Sequence, residues 1–512
     1  MTLDHASCYH ALLSRDRRFD GRFFTGVITT GIYCRPVCPS PPPHLKHVRF
    51  FACAAAAETE GFRPCRRCHP EAAPGTPAWI GASAVVSRAL RLIADYALDD
   101  ASVEALASRL GIGGRQLRRL FAQHLGASPI EVARARRVHF ARTLLDDTAL
   151  PITQIAFAAG FRSLRQFNHS MHETFGRAPR DLRSPSFDKL RTNGKKSRGG
   201  DIEFVRGEPV EPRMSDLVVR LPYRPPLAWS TLLGFLEARA IPGVEIVQGG
   251  SYCRTVEING TPGCVEIRHD SSKHLLVMRV DLPVSAGLLA LAERARRLFD
   301  LNADPLAIAV QLRGASSLVP GLRAGIRVPG AWDPFELALR AVLGQQISVK
   351  GATTLSGRIA ERFGRPLERA KRWGLSRLSP RAVDLVDADL EPVGLPRARA
   401  KTIRVLARAV VDGTLRLDAS QGLDDAVERL CQVPGVGPWT AHYIAMRACG
   451  EPDAFPSGDL GLRRALGTGV GPLSQAELER RADVWRPWRA YAAMCLWTAG
   501  TGGRQPPVRL QN

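Results

Sequence analysis

At 512 residues the chain is long enough for several domains, each with an ordinary apolar content from which to build a core. Lys plus Arg total 71 against 49 Asp plus Glu, a net charge of +22 with a pI near 10.2, which disfavours cationic partners and directs the protein to polyanions, most simply nucleic acid. No apolar run approaches a membrane span, and Met1-Thr2-Leu3-Asp4-His5 lacks the basic start and apolar core of a secretory signal, so a cytoplasmic protein with no membrane partner is expected.

Residues 1–78 form the first block. Aromatic and β-branched residues (Arg22 to Thr29) read as strand, and the cysteines cluster as two close pairs, Cys34-x3-Cys38 and Cys65-x2-Cys68. Both pairs lie in turn-forming sequence, and together they can close a tetrahedral thiolate shell on Zn²⁺. From spacing alone, a zinc that only staples a small domain is the simplest reading. Cys8 and Cys53 fit neither pair and read as packing residues. Pro74-Gly75-Thr76-Pro77 closes the block as a linker.

Residues 83–182 read as short helices with an internal repeat. Leu106-Ala107-x3-Gly111 recurs as Ile155-Ala156-x3-Gly160, and Gly126-x2-Pro129 recurs as Gly176-x2-Pro179. Each Gly marks a turn between helices, which gives two helix-turn-helix units in tandem. The candidate groove-reading residues are Arg115, Gln116, Arg118 and Arg119 in the first unit, and Arg162, Ser163, Arg165 and Gln166 in the second. Taken singly, each could equally belong to a solvated helix face.

Residues 183–213, polar, charged and aperiodic, read as a flexible linker. Residues 214–285 alternate as strands, notably Tyr252 to Ile258 and Leu275 to Val280, and residues 286–504 are dominated by helix. Within that last block, Val433-Pro434-Gly435-Val436-Gly437-Pro438-Trp439 reads as a hairpin between two helices. Gly435 and Gly437 are expected to supply unusual backbone angles, and Pro438 opens the second helix, where its missing N–H costs nothing. Such a hairpin points N–H groups at a phosphate. Asp459, a short distance beyond, would on its own read as an N-cap.

The hairpin followed by Asp459 resembles the helix-hairpin-helix DNA glycosylases. From Leu221 onward the chain is similar to the alkylation-repair glycosylases of the AlkA family: Tyr223-Arg224-Pro225-Pro226, Leu233-Gly234-Phe235-Leu236, Leu343-Gly344-Gln345-Gln346-Ile347-Ser348 and Trp485-x-Pro487-Trp488-Arg489-x-Tyr491 carry the likeness. The resemblance implies that Asp459 is the catalytic carboxylate, with Asp453 the weaker alternative. It implies that Trp439, Tyr443 and Trp497 line the pocket for a flipped base. It places Gly435, Gly437, Gln345 and Gln346 against DNA, with Gln346 standing where the family often has an apolar wedge. Members that also cut the strand carry a Lys after the hairpin; Trp439 stands there, which implies hydrolysis alone, leaving an abasic site. Leu460 replaces an aromatic, so pocket selectivity is expected to differ.

The wording around the cysteines, Thr29-Thr30-Gly31-Ile32-Tyr33-Cys34-Arg35-Pro36 and Gly61-Phe62-Arg63-Pro64-Cys65-Arg66-Arg67-Cys68, resembles the N-terminal domain of the Ada family. That likeness implies that Cys34 is both a zinc ligand and the acceptor of a methyl group from a DNA methylphosphotriester, with Cys38, Cys65 and Cys68 as the other ligands. Zinc keeps the sulfur as the attacking thiolate. The shell of four thiolates carries about −2, and about −1 once one is methylated, which lowers repulsion from DNA. Pro39-Ser40-Pro41-Pro42-Pro43 stands where the family often has arginines, implying weaker docking. The second helix-turn-helix unit resembles the AraC-type regulators.

The expected fold class is multidomain α+β: a small zinc-bound α/β domain, an all-α tandem helix-turn-helix domain, and an α+β glycosylase half with a mostly helical helix-hairpin-helix core. The expected function is excision of alkylated bases joined to methyl-triggered transcription activation. The expected partners are alkylated and promoter double-stranded DNA and RNA polymerase, for a monomer associated with the nucleoid. One rival reading is a zinc-stabilised transcription factor without acceptor chemistry. A second treats the C-terminal half as a DNA-binding scaffold.

Overall fold

The computed structural model describes residues 4–74, 84–183, 217–282, 287–314, 319–467 and 471–499, apart from residues 96, 100 and 320. The closing linker of the first block and the tether at 184–213 lie outside them, save Pro74. Among the described residues no helix is long and apolar enough to cross a membrane.

The cysteine-bearing block is a four-stranded sheet in the order β3-β1-β2-β4, with β1 Phe24–Val27, β2 Ile32–Cys34, β3 Val48–Phe51 and β4 Arg63–Pro64. β1 pairs antiparallel with β2 and β3, whereas β2 and β4 run parallel, Tyr33 facing Pro64. That register brings Cys34, at the end of β2, beside Cys65, just past β4. The two cysteine pairs are thereby delivered to one sheet end from segments thirty residues apart in sequence.

The repeat read from the sequence appears as two helix pairs, Val103–Arg109 with Gly114–Leu125 and Ile152–Ala158 with Leu164–Phe175, joined by the long helix Pro129–Asp147. All four turn glycines, Gly111, Gly126, Gly160 and Gly176, are left-handed at φ 66–82°. The long helix starts with a capping box at Ser128 and Glu131. It is fastened to the sheet by a buried cluster in which the Tyr33 hydroxyl donates to Glu58 at 2.8 Å and His139 Nε2 meets the same carboxylate at 2.8 Å.

Beyond the tether a five-stranded antiparallel sheet forms in the order β5-β9-β8-β7-β6, with β5 Leu217–Pro222, β6 Glu245–Gln248, β7 Ser251–Ile258, β8 Thr261–Asp270 and β9 Leu275–Asp281. Its core does not stop at the domain edge. Val219, Leu221 and Val280 share one apolar cluster with Leu144, Ile155 and Phe161 of the helix-turn-helix block and with Leu291 and Phe299 of the following helices. Ion pairs tie the halves further: Arg91 to Glu451 at 2.8 Å, Arg109 to Asp418 at 2.9 Å, Arg136 to Glu293 at 3.2 Å and Arg22 to Asp304 at 2.9 Å.

Candidate active site and metal centre

The hairpin has the expected elements. One helix spans Leu423–Cys431, the next Pro438–Arg447 with Pro at its first turn. Gly435 is left-handed at φ +89°, and a Cβ there would lie 2.1 Å from Thr402 Oγ1, so the turn needs glycine twice over. Gly437 departs from expectation: as the N-cap it is extended at φ −91° and ψ 174°, a conformation open to any residue. A Cβ there meets nothing within 4 Å, so the fold itself does not require glycine at Gly437.

Gln345 follows the helix Pro334–Leu343 and reaches back to this turn. Its Nε2 donates to Gly435 O and to Thr440 Oγ1, each at 2.9 Å, while Arg399 donates to its backbone carbonyl at 2.8 Å. The Gln345 amide nitrogen is thus committed within the protein. Gln346, by contrast, is exposed and left-handed at φ +60°, which aims its side chain away from the body.

Asp459 caps the helix Leu460–Ala465, accepting from Leu462 N at 2.9 Å. The capping reading of the isolated residue therefore holds, and more is built on it. Trp439 Nε1 donates to Asp459 Oδ2 at 3.1 Å and Trp497 Nε1 donates to Oδ1 at 3.0 Å. Tyr443 stacks on Trp439 with ring centroids 5.5 Å apart and 12° between planes, and meets Trp497 at 6.2 Å. Residues from two helices and a cap, up to 58 positions apart in sequence, thus form one aromatic wall around one carboxylate. Asp453, the alternative acid, is bound through both oxygens by Arg489 at 2.8 Å and is also paired with Arg486.

Burial alone would raise the Tyr443 phenol, but Arg447 and Arg239 outweigh it and bring it down to about 8. Arg447 Nη1 donates to the hydroxyl at 2.6 Å. The sequence reading passed over Arg447 although it lies one helical turn from Tyr443, a spacing that places the two side by side. Beside them lies Phe235, whose ring is covered by Arg239 and Arg447 at 3.7 and 5.1 Å.

At the other end, the Sγ atoms of Cys34, Cys38, Cys65 and Cys68 lie within 4.8 Å of one another. Arg35 N donates to Cys68 Sγ and Arg67 N to Cys65 Sγ, both at 3.4 Å, the turn-borne N–H···S contacts that a thiolate cluster needs. Four soft sulfurs in one cluster fit Zn²⁺. Cys34 is half-buried, whereas its three companions are 5–8% exposed. Burial pushes Cys8 up to about 11 and Cys53 up to about 12, so those thiols stay protonated and do not compete for metal. Arg15 was not anticipated: it donates to Pro39 O at 3.2 Å and to Ser40 O at 3.4 Å, which brings a cation to the proline loop that lacks its own.

In the helix-turn-helix units, Arg115, Gln116, Arg118 and Arg119 are exposed along one helix and Arg162, Ser163, Arg165 and Gln166 at the start of the other. Arg118 pairs with Glu104, Arg162 donates to Asp99 O, and Ser163 caps its helix by accepting from Gln166 N at 3.2 Å. Arg115, Arg119 and Arg165 face solvent on the same surfaces.

Four family models match in sequence along the chain: the metal binding domain of Ada at residues 7–71, a helix-turn-helix domain at 106–184, the AlkA N-terminal domain at 218–333, and the HhH-GPD superfamily of base excision DNA repair proteins at 339–490. The DNA-3-methyladenine glycosylase 2 of Escherichia coli is 34% identical over 290 residues, 56% of this chain and 98% of that one. The bifunctional transcriptional activator/DNA repair enzyme Ada of Escherichia coli is 32% identical over 177 residues, 34% of this chain and 48% of that one. A Mycobacterium tuberculosis protein described as "Probable bifunctional transcriptional activator/DNA repair enzyme AlkA" is 41% identical over 497 residues, 97% of this chain and 96% of that one. Matched over nearly its whole length, with an Ada metal centre, a helix-turn-helix domain and a helix-hairpin-helix glycosylase fold in one polypeptide, the chain belongs to that AlkA family of bifunctional proteins.

Proposed function

We propose that the protein couples excision of alkylated bases to a methyl-triggered genetic response. The observation that carries the first activity is Asp459, fixed by two indole N–H groups beside an aromatic wall and next to the hairpin. N-alkylated purines carry positive charge and leave readily, so the site has mainly to stabilise an oxocarbenium-like sugar. Asp459 supplies that charge, water adds to the anomeric carbon, and the base leaves. Trp439, Tyr443 and Trp497 receive the flipped base, π-faces toward its positive ring. Gly435, Gly437 and the exposed Gln346 approach the DNA backbone and groove, and Gln345 supports them from within. With Trp439 where a Schiff-base Lys would stand, the product is an abasic site.

The second activity is assigned to Cys34. Its sulfur attacks the methyl carbon of a methylphosphotriester; the S–C bond forms, the C–O bond breaks, and the phosphodiester anion leaves. Less negative at the metal, the protein then binds promoter DNA through Arg115, Gln116, Arg118, Arg119, Arg162, Arg165 and Gln166, as a monomer that recruits RNA polymerase. The domains assigned to these tasks are 1–78, 83–182, 214–285 and 286–504.

The deciding experiment is base release from methylated duplex DNA by wild type and Asp459→Asn, side by side. Loss of 3-methyladenine release of about a hundredfold or more in the variant alone supports Asp459 as the catalytic carboxylate. Equal release by both removes the assignment, and no release by either leaves a DNA-binding scaffold. For Cys34, mass spectrometry after exposure to methylated DNA reads one added methyl; its absence leaves a zinc-stabilised regulator.

A further inference from the structure

The Tyr443 side of the aromatic wall is backed by cations that no carboxylate balances. Arg447 is 3% exposed, and its guanidinium donates to Tyr443 Oη at 2.6 Å, to Pro329 O at 2.7 Å and to Gly330 O at 3.4 Å, all neutral acceptors. Arg239 lies against Phe235, donating to its carbonyl at 3.2 Å, and adds its field to the same hydroxyl. Arg340, on the helix Pro334–Leu343, also bears on Tyr443, but Glu245 meets it at 3.0 Å and Glu336 at 3.9 Å. Asp459 is held by the two indoles and not by either arginine. Among the described residues neither Arg447 nor Arg239 forms an ion pair. The buried Arg447 guanidinium bonded to the phenol oxygen, with the field of the half-buried Arg239 added to it, makes the phenolate the anion most easily created there.

We propose that Tyr443, set against Arg447 and Arg239, is a specificity-determining wall whose hydroxyl proton, when lost to solvent, shifts preference toward positively charged damaged bases over neutral ones. This rests on the reading of Trp439, Tyr443 and Trp497 as the base pocket. With the phenol protonated, a positively charged base meets a face backed by two uncompensated guanidiniums. With the phenolate formed, that repulsion is cancelled and the electron-rich ring attracts the cation more strongly. No bond to carbon forms; only the Oη–H bond breaks. Burial holds Tyr33, Tyr252 and Tyr491 well above the usual phenol range and raises Tyr223, whereas the arginines bring Tyr443 down to about 8. The change therefore falls within reach of ordinary assay conditions.

The test uses the full-length protein, wild type and Tyr443→Phe, with duplexes bearing 3-methyladenine (a fixed cation) or 1,N6-ethenoadenine (neutral throughout the range). Single-turnover release is followed from about pH 6.5 to about pH 9.5, together with the near-ultraviolet absorbance of tyrosinate. Dividing the wild-type rate by the variant rate cancels any titration of the DNA itself. The expected result is a ratio for 3-methyladenine that rises severalfold through about pH 8, a flat ratio for 1,N6-ethenoadenine, and one early tyrosinate step missing from Tyr443→Phe. Arg239→Gln, which leaves Arg447 and its carbonyl partners in place, should move that step to higher pH. Flat ratios for both bases, or no tyrosinate step below about pH 9.5, overturn the proposal while the pocket stands. Failure of wild type to release either base at any pH overturns the pocket and the proposal together.

Discussion

The side chain of Asp459 shows how one residue can carry two readings at once. It caps a helix through Leu462 N, and the same cap leaves its oxygens aimed at Trp439 and Trp497. Each indole N–H is a charge-assisted hydrogen bond of about 1.5–3 kcal/mol, so the rings we propose to receive the base also hold the acid we propose to act on it. Trp497→Phe, which keeps an aromatic face and loses the N–H, is accordingly expected to slow base release about tenfold or more without a matching loss of DNA affinity, as single-turnover rates and binding titrations would show. The cap that Asp459 forms was legible from its place just before a helix. Its grip by Trp497 was not, because nothing in the spacing of two residues 38 positions apart says that an indole nitrogen meets a carboxylate.

At the scale of the element, the hairpin separates its two glycines by cause. Gly435 is required by backbone and by Thr402. Gly435→Ala should cost about 1–3 kcal/mol, visible as a lowered melting temperature. Gly437→Ala fits its extended backbone and open surroundings, so stability should hold while affinity for duplex DNA falls; an equal loss of stability would refute the distinction. The sequence offered the same reason for both because two glycines near a proline signal a turn without saying which one turns. The helix-turn-helix repeat was more legible, since each copy carries its own punctuation and both turn positions demand left-handed backbone. Less legible were Gln345 and Arg15, whose partners come from distant segments.

Across the whole molecule, the sequence reads as separate blocks and does not show that the blocks lock together. Arg91 donates to Glu451, to Cys449 O and to Gly450 O, and the Glu451 side chain is 7% exposed. Truncating Arg91 leaves that carboxylate buried without its cation, at a cost of about 3–5 kcal/mol. Wild-type protein should therefore unfold in one calorimetric transition, and Arg91→Ala in two, with the lower one reporting whichever half is less stable alone. Two transitions in wild type would show that the ion pairs contribute little to holding the halves together. Such contacts are invisible in sequence because Arg91 and Glu451 sit 360 positions apart, each looking like an ordinary surface charge.

The apolar cluster that joins Leu144, Ile155 and Phe161 to Val219, Leu221 and Leu291 has a consequence for inheritance. A gene cut between Leu182 and Leu217 would encode two polypeptides, each with an oily wound where the other had been, and each prone to clump or to be degraded before it could act. In this packing each half shields the other's apolar surface. Loss of one by truncation would then cost the cell the other as well, and selection would act on the fusion as a single heritable trait.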